Sequence, residues 1–203
     1  MANKPFSQQA ESFRAIRSQL MMRVYDVAGP KPAVAVVSPN SGDGKTYFAA
    51  NLAVALAQLG GRTLLIDADL RGPRQHEVFG LENVVGLSGI LSGRVERDVI
   101  QQVPDLPSLF VLPVGAIPPN PSELVERPVF NLLLREMTAK FDYVVVDTPA
   151  GVFGSDATII AARCGCALTV ARKARTKVSD IQDFVALLSN SPVKLTGVIF
   201  NEY

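Results

Sequence analysis

Val36-Val37-Ser38-Pro39-Asn40-Ser41-Gly42-Asp43-Gly44-Lys45-Thr46 is the stretch on which the reading of this chain turns. Before it, Ala33 to Val37 is an apolar run of strand length; after it, Phe48, Leu52, Val54, Leu56 and Leu59 belong to a helix. Gly42 and Gly44 let the main chain bend tightly and approach an anion with no Cβ in the way. Successive N–H groups in such a turn, with the positive end of the following helix, cradle phosphate. Lys45 reaches the outer phosphates, and the Thr46 hydroxyl is placed to ligate Mg²⁺. The phosphate-loop pattern G-x-x-x-x-G-K-[ST] is met except at its first glycine, where Pro39 stands. An ordinary glycine turn ahead of a helix is the competing explanation. The strand before, the helix after and the intact Gly-Lys-Thr weigh against it.

Bulk properties set the frame. A chain of 203 residues fits one α/β domain, with at most a small appendage. Apolar residues make up 48%, ample for a buried core. A formal charge of +1 gives no reason to expect a nucleic-acid partner. No apolar run approaches the roughly 20 residues that span a bilayer, and Met1-Ala2-Asn3-Lys4-Pro5 lacks a secretory core. Cys164 and Cys166 are the two cysteines, too few for a structural zinc site and too close for an ordinary strand disulfide. They read as small core residues in a reducing cytoplasm.

Along the chain, Ser7 to Tyr25 reads as a helix, with Phe13, Ile16, Leu20 and Val24 at helical spacing and Glu11, Arg14 and Arg17 on its polar side. Gly29-Pro30-Lys31-Pro32 separates it from the first strand. The expected division is therefore a helical segment over 1–28 and an α/β domain over 29–203. Gly60-Gly61 ends the helix after the phosphate loop. Further strands are expected at Thr63 to Ile66, Leu109 to Val114, Val144 to Val146, Cys166 to Ala171 and Val193 to Phe200. Helices are expected near Ser122, at Val129 to Lys140, from Asp156 toward Arg163 and at Val178 to Leu188. Gly72 to Gly93 reads as short helices and turns, with His76 as a lone surface histidine. This alternation implies right-handed crossovers and a doubly wound, mostly parallel sheet flanked by helices.

Two acidic strand ends complete a candidate site. Thr63-Leu64-Leu65-Ile66 runs into Asp67-Ala68-Asp69, and Val144-Val145-Val146 runs into Asp147-Thr148-Pro149. Ligands of doubly wound sheets bind at the carboxyl edge of the strands. Asp67 and Asp69 share parity, so an extended chain would turn both toward the phosphate site. Asp147 can hold Mg²⁺, directly or through water.

Together these segments resemble the deviant P-loop ATPases that include MinD and ParA, whose signature lysine is replaced here by Asn40. They resemble bacterial tyrosine kinases of the exopolysaccharide chain-length-determinant type more fully. That family follows its P-loop with D-x-D-x-R, present as Asp67-Ala68-Asp69-Leu70-Arg71, and its Walker B strand matches Val144 to Pro149. Its N-terminal oligomerisation motif E-x-x-R-x-x-R is present as Glu11-Ser12-Phe13-Arg14-Ala15-Ile16-Arg17.

The resemblance implies a MinD/ParA-like P-loop fold and tyrosine phosphorylation in trans by Mg·ATP. ATP would be held by Asn40, Ser41, Gly42, Asp43, Gly44, Lys45, Thr46 and Tyr47, with Asn201 at the adenine. Thr46, Asp67 and Asp147 would hold Mg²⁺, and Asp67 or Asp69 would take the phenol proton beside Lys45. Glu11, Arg14 and Arg17 would build a ring-like homo-oligomer. A membrane chain-length-determinant protein would be the activator, placing the kinase in the cytoplasm at the inner face of the membrane through a partner or a fused segment. The family's substrate is a tyrosine-rich tail. Here only Tyr25, Tyr47, Tyr143 and Tyr203 occur, without a cluster. The alternative is an ATP-switched scaffold without protein kinase activity.

Overall fold

Five consecutive buried residues, Ala33–Val37, make a strand with no solvent face, as a parallel sheet covered on both sides requires. The computed structural model describes residues 7–26, 29–94 and 97–202. Tyr203 and the boundary expected at residue 28 lie outside the described residues.

Among the described residues the sheet has seven strands in the order β3-β4-β2-β5-β1-β6-β7. They are β1 (Ala33–Val37), β2 (Thr63–Asp67), β3 (Gln101–Val103), β4 (Leu106–Leu112), β5 (Tyr143–Asp147), β6 (Gly165–Arg172) and β7 (Lys194–Asn201). All neighbours run parallel except β3 and β4. The sheet is therefore doubly wound and mostly parallel, as the alternation predicts. The antiparallel edge strand β3 is an addition. It is a three-residue strand joined to β4 through Pro104-Asp105, too short and polar to stand out as a periodic run.

The helices are α1 (Gln8–Leu20), α2 (Lys45–Ala57), α3 (Gln75–Phe79), α4 (Leu87–Leu91), α5 (Pro121–Glu126), α6 (Pro128–Lys140), α7 (Asp156–Cys164) and α8 (Val178–Ser189). Ser7 caps α1, its hydroxyl accepting the Ala10 N–H at 3.2 Å. Beyond Leu20 the expected single helix widens into a π turn, Met21–Tyr25. That turn places Val24 and Tyr25 in the core.

One face of the sheet carries α4 to α8, with Phe130, Leu134, Ile160 and Leu188 in its core. The other carries α2, with α1 laid over it. From Phe48 to Ala57 every residue of α2 is buried, which explains why this helix is apolar all round rather than amphipathic. Phe13 of α1 meets Phe48 with ring centroids 5.3 Å apart. Burial of Phe13, Leu20 and Val24 contributes roughly 1.5–3 kcal/mol each. The exposed Glu11–Arg14 pair on the outer face belongs to a class worth about 0.2–1 kcal/mol. Apolar contact therefore outweighs the Glu11–Arg14 pair in seating α1 on its own domain.

The site lies at the carboxyl edge of β1, β2 and β5. Asp67 and Asp147 are register partners on adjacent strands, and Val36 pairs with Asp147 on the other side. The sequence order of these strands is thus converted into one acidic edge beside the phosphate loop.

Candidate nucleotide and phosphoryl-transfer site

The loop between β1 and α2 bends where glycine allows. Gly42 and Gly44 have φ of +81° and +96°, and a Cβ on Gly44 would collide with Asn201 Nδ2. Asp43 is almost fully buried and organises the turn from within. Its Oδ2 accepts the Asn40 N–H at 3.0 Å and its Oδ1 accepts the Thr176 hydroxyl at 2.7 Å. Asn40 Nδ2 donates to Asp180 Oδ2 at 2.9 Å, and Arg172 Nη1 donates to the Gly42 carbonyl at 3.3 Å. Asn201 Nδ2 donates to the Asp43 carbonyl at 3.1 Å. Asn201, expected at the adenine, therefore braces the phosphate loop in this structure.

Arg172, Thr176 and Asp180 join the site from outside the expected set. No local motif marks them; they reach the loop because β6 lies beside β1. The loop after β5 adds a main-chain clamp. Gly151 N–H donates to the Ser38 carbonyl at 2.8 Å and Val152 N–H to the Pro39 carbonyl at 2.9 Å.

Lys45 is buried and donates through Nζ to Ser38 Oγ at 3.0 Å. Burial lowers its pKa, opposed by the negative charges of Asp147, Asp69 and Asp43. The fold thus brings together Lys45 and the carboxylates named from sequence.

The three aspartates differ in surroundings. Asp67 is fully buried, and main-chain N–H groups occupy both its oxygens. Oδ1 accepts Asp69 N–H at 3.2 Å; Oδ2 accepts Arg74 N–H at 3.0 Å and Gln75 N–H at 2.9 Å. Burial, reinforced by the charge of Asp147, holds its carboxyl well above the usual range. Asp147 is pushed up to about 6, chiefly by burial. Asp69 is half-buried and lines the open cavity, its Oδ1 taking the N–H groups of Arg71 and Gly72 at 3.2 and 3.1 Å. The shared parity of Asp67 and Asp69 does not persist as shared exposure. The strand ends at Asp67, and the turn that follows folds back onto its carboxylate.

A cavity of about 720 Å³ joins these groups. Gly42, Gly44, Lys45 and Thr46 form one wall; Asp69, Arg71, Arg74, Val78 and Phe153 form the other. Arg71 donates through Nε to Asp156 Oδ2 at 2.9 Å and through Nη2 to Ser122 Oγ at 3.0 Å. A smaller cavity of about 270 Å³ lies between α1 and the end of β7, touching Tyr47 and Asn201.

Among the described residues no group of three or more His, Cys, Asp or Glu side chains could hold a metal ion. Mg²⁺ needs no such cage, since it uses one or two carboxylates and completes its shell with water and phosphate oxygens. Asp147 Oδ1 is buried without a hydrogen-bond partner, and the Thr46 hydroxyl lies against the same carboxylate. That donor set fits a hydrated Mg²⁺ held jointly with phosphate. Cys164 and Cys166 are free and buried, and burial raises both thiols above their usual range. His76 is half-buried, with a sequestered Nδ1.

On α1, Glu11 and Arg14 pair with each other at 2.6 Å. Arg17 instead donates through Nη1 to the Ala55 carbonyl at 2.8 Å, near the C-terminus of α2. There a cation meets the negative end of the helix dipole. The three residues thus differ in what they hold, and Arg17 is engaged within its own domain. Among the described residues no helix is long and apolar enough to cross a membrane.

Residues 34–203 match the CobQ/CobB/MinD/ParA nucleotide binding domain. The chain is 35% identical to the tyrosine-protein kinase YwqD of Bacillus subtilis over 198 residues, covering 98% of this chain and 83% of that protein. It is 33% identical to the tyrosine-protein kinase wzc of Salmonella typhimurium over 191 residues, 94% of this chain but only 26% of that protein. The chain thus spans about a quarter of the length of several curated relatives it matches. The solved kinase domain of the Escherichia coli tyrosine kinase ETK superposes with a TM-score of 0.91 at 32% identity, covering 97% of this chain and 76% of that one. A phosphate loop braced from β6 and β7, two acidic strand ends in register and these likenesses agree: the chain belongs to the CobQ/CobB/MinD/ParA nucleotide-binding family and, within it, to the bacterial tyrosine-protein kinases.

Proposed function

We propose that this chain transfers the γ-phosphoryl group of Mg·ATP to tyrosine, and that in the cell this reaction regulates exopolysaccharide chain length and export. The observation that carries the reading is the cavity in which Lys45 and the phosphate loop face Asp69 across an open space.

Lys45, freed from Ser38 by a small movement, neutralises charge on the β- and γ-phosphates, and the loop N–H groups fix their oxygens. Mg²⁺, when bound, would neutralise charge on those phosphates. Thr46 and Asp147 are the residues that would hold it, with Asp67 behind them. Asp69 is the better placed proton acceptor, because the oxygens of Asp67 are already occupied by main-chain donors. The tyrosine phenol gives its proton to Asp69 as its oxygen bonds to the γ-phosphorus. The bond from that phosphorus to the bridging oxygen breaks, and ADP leaves with the electron pair. A phenol of pKa about 10 needs only modest assistance. Asn40, Ser41, Tyr47 and Asn201 complete the nucleotide contacts.

The names of the relatives, tyrosine-protein kinases, support this reading over an ATP-switched scaffold. γ-Labelled ATP separates the two: a kinase moves label onto a polypeptide tyrosine, whereas a switch releases it only as free phosphate.

The acceptor is a tyrosine-rich tail and the activator a membrane chain-length-determinant protein, which would hold the kinase at the inner face of the membrane. A ring-like homo-oligomer would assemble through Glu11, Arg14 and Arg17. Replacing Arg14 and Arg17 together by Ala is expected to weaken assembly more than nucleotide binding. Sedimentation velocity checks this, with unchanged species in an assembling preparation as the contrary result. Arg17 also anchors α1 to α2, and Arg14→Ala alone leaves that anchor in place.

A further inference from the structure

Gln75, the first residue of α3, is fully buried although it is an amide. Its contacts explain the placement. Its main-chain N–H donates to Asp67 Oδ2 at 2.9 Å. Its Nε2 donates to Asp147 Oδ2 at 2.8 Å and to the Thr46 carbonyl at 3.1 Å. One residue therefore touches the phosphate-loop helix and both acidic strands. The amide orientation is fixed by its partners, since the reversed amide would set oxygen against two oxygens.

Two acceptors remain in this group. Gln75 Oε1 and Asp147 Oδ1 are both buried and have no hydrogen-bond partner. Buried polar atoms are nearly always paired, and the exceptions call for an explanation. Here both lie on the side chains joined by the 2.8 Å bond, next to Thr46.

We infer that Gln75 is a positioning residue for the divalent cation. By holding Oδ2 of Asp147, the amide turns Oδ1 to the cation beside the Thr46 hydroxyl. Its own Oε1 accepts a hydrogen bond from a cation-bound water. Asp67 acts through this residue as well: its carboxylate holds the Arg74 and Gln75 N–H groups and so places the start of α3. Such outer-shell partners orient metal ligands without touching the metal. The inference rests on the Mg·ATP reading proposed above.

The test is calorimetric titration of the full chain with ADP, in Mg²⁺ and in EDTA. Gln75→Met keeps the length and the apolar packing but removes both donors and Oε1. The Mg²⁺-linked gain in ADP affinity is expected to fall by about 10–100-fold, while affinity in EDTA stays within about twofold of the unaltered chain. Gln75→Asn, whose amide is retracted by one methylene, is expected to lose the same gain, and serves if the Met variant does not fold. An undiminished gain in either folded variant overturns the inference. So does an equal loss with and without Mg²⁺, which marks a structural role alone. If the unaltered chain shows no Mg²⁺-linked gain, the phosphoryl-transfer reading fails as well, so the two failures are distinguishable.

Discussion

Lys45→Met is expected to abolish phosphoryl transfer while leaving the fold intact. The ammonium is a fixed cation inside the phosphate loop, and removing a preorganised charge partner of this kind costs about 10²–10³ in rate. The loss here should lie at or beyond that range, because the loop N–H groups alone cannot offset the charge gathered on the γ-phosphate. The fold has little reason to suffer. The side chain of Lys45 is tied to Ser38 by a hydrogen bond between two side chains, and burial already disfavours its charged form. Met occupies a similar volume with no charge to desolvate. A melting temperature within roughly 2–4 °C of the unaltered chain is expected, the shift that about 1 kcal/mol produces in a domain of this size. Retained tyrosine phosphorylation in this variant would remove Lys45 from the mechanism.

Removing Mg²⁺ is expected to weaken ATP binding by at least about tenfold, or ~1.4 kcal/mol. Asp67 and Asp147 are register partners, and Asp69 faces the same loop. Bringing a triphosphate to this edge adds negative charge to carboxylates that burial already destabilises in their ionised form. Like charges at such spacing repel strongly unless a cation intervenes. Titration with ATP in Mg²⁺ and in EDTA measures the difference directly. Equal affinity in the two buffers would show that these carboxylates do not face the phosphates.

Much of this arrangement is legible in the residues themselves. The apolar run Ala33 to Val37 leads straight into Gly42, Gly44 and Lys45, and backbone freedom and charge leave few other uses for such a turn. The acidic ends of two apolar runs point in the same way to one sheet edge. What the sequence does not display is contact between distant segments. Thr176, Asp180 and Arg172 look like ordinary loop and helix-start residues until β6 is placed beside β1. Gln75 sits in a turn-rich stretch and gives no sign that it will be buried between Thr46 and Asp147. Asn201 and Arg17 show the converse. The family resemblance points them outward, to adenine and to a neighbouring subunit, and in this structure both donate to main-chain carbonyls of their own domain. A carbonyl acceptor exists at every residue, so sequence carries no mark of which one a side chain will choose. Strand β3 is hidden for a different reason: three residues cannot establish a period.

Tyrosine phosphorylation at this cavity is open to direct measurement. Its most direct test is to incubate the chain with Mg·ATP and a tyrosine-rich acceptor tail, with and without the cytoplasmic segment of a membrane activator. Phosphotyrosine is then mapped by mass spectrometry, with Lys45→Met in parallel. The expected result is phosphate on tail tyrosines in the unaltered chain and none in the variant. Hydrolysis of ATP to ADP and free phosphate, with no phosphotyrosine in either arm, would contradict it and favour the switch.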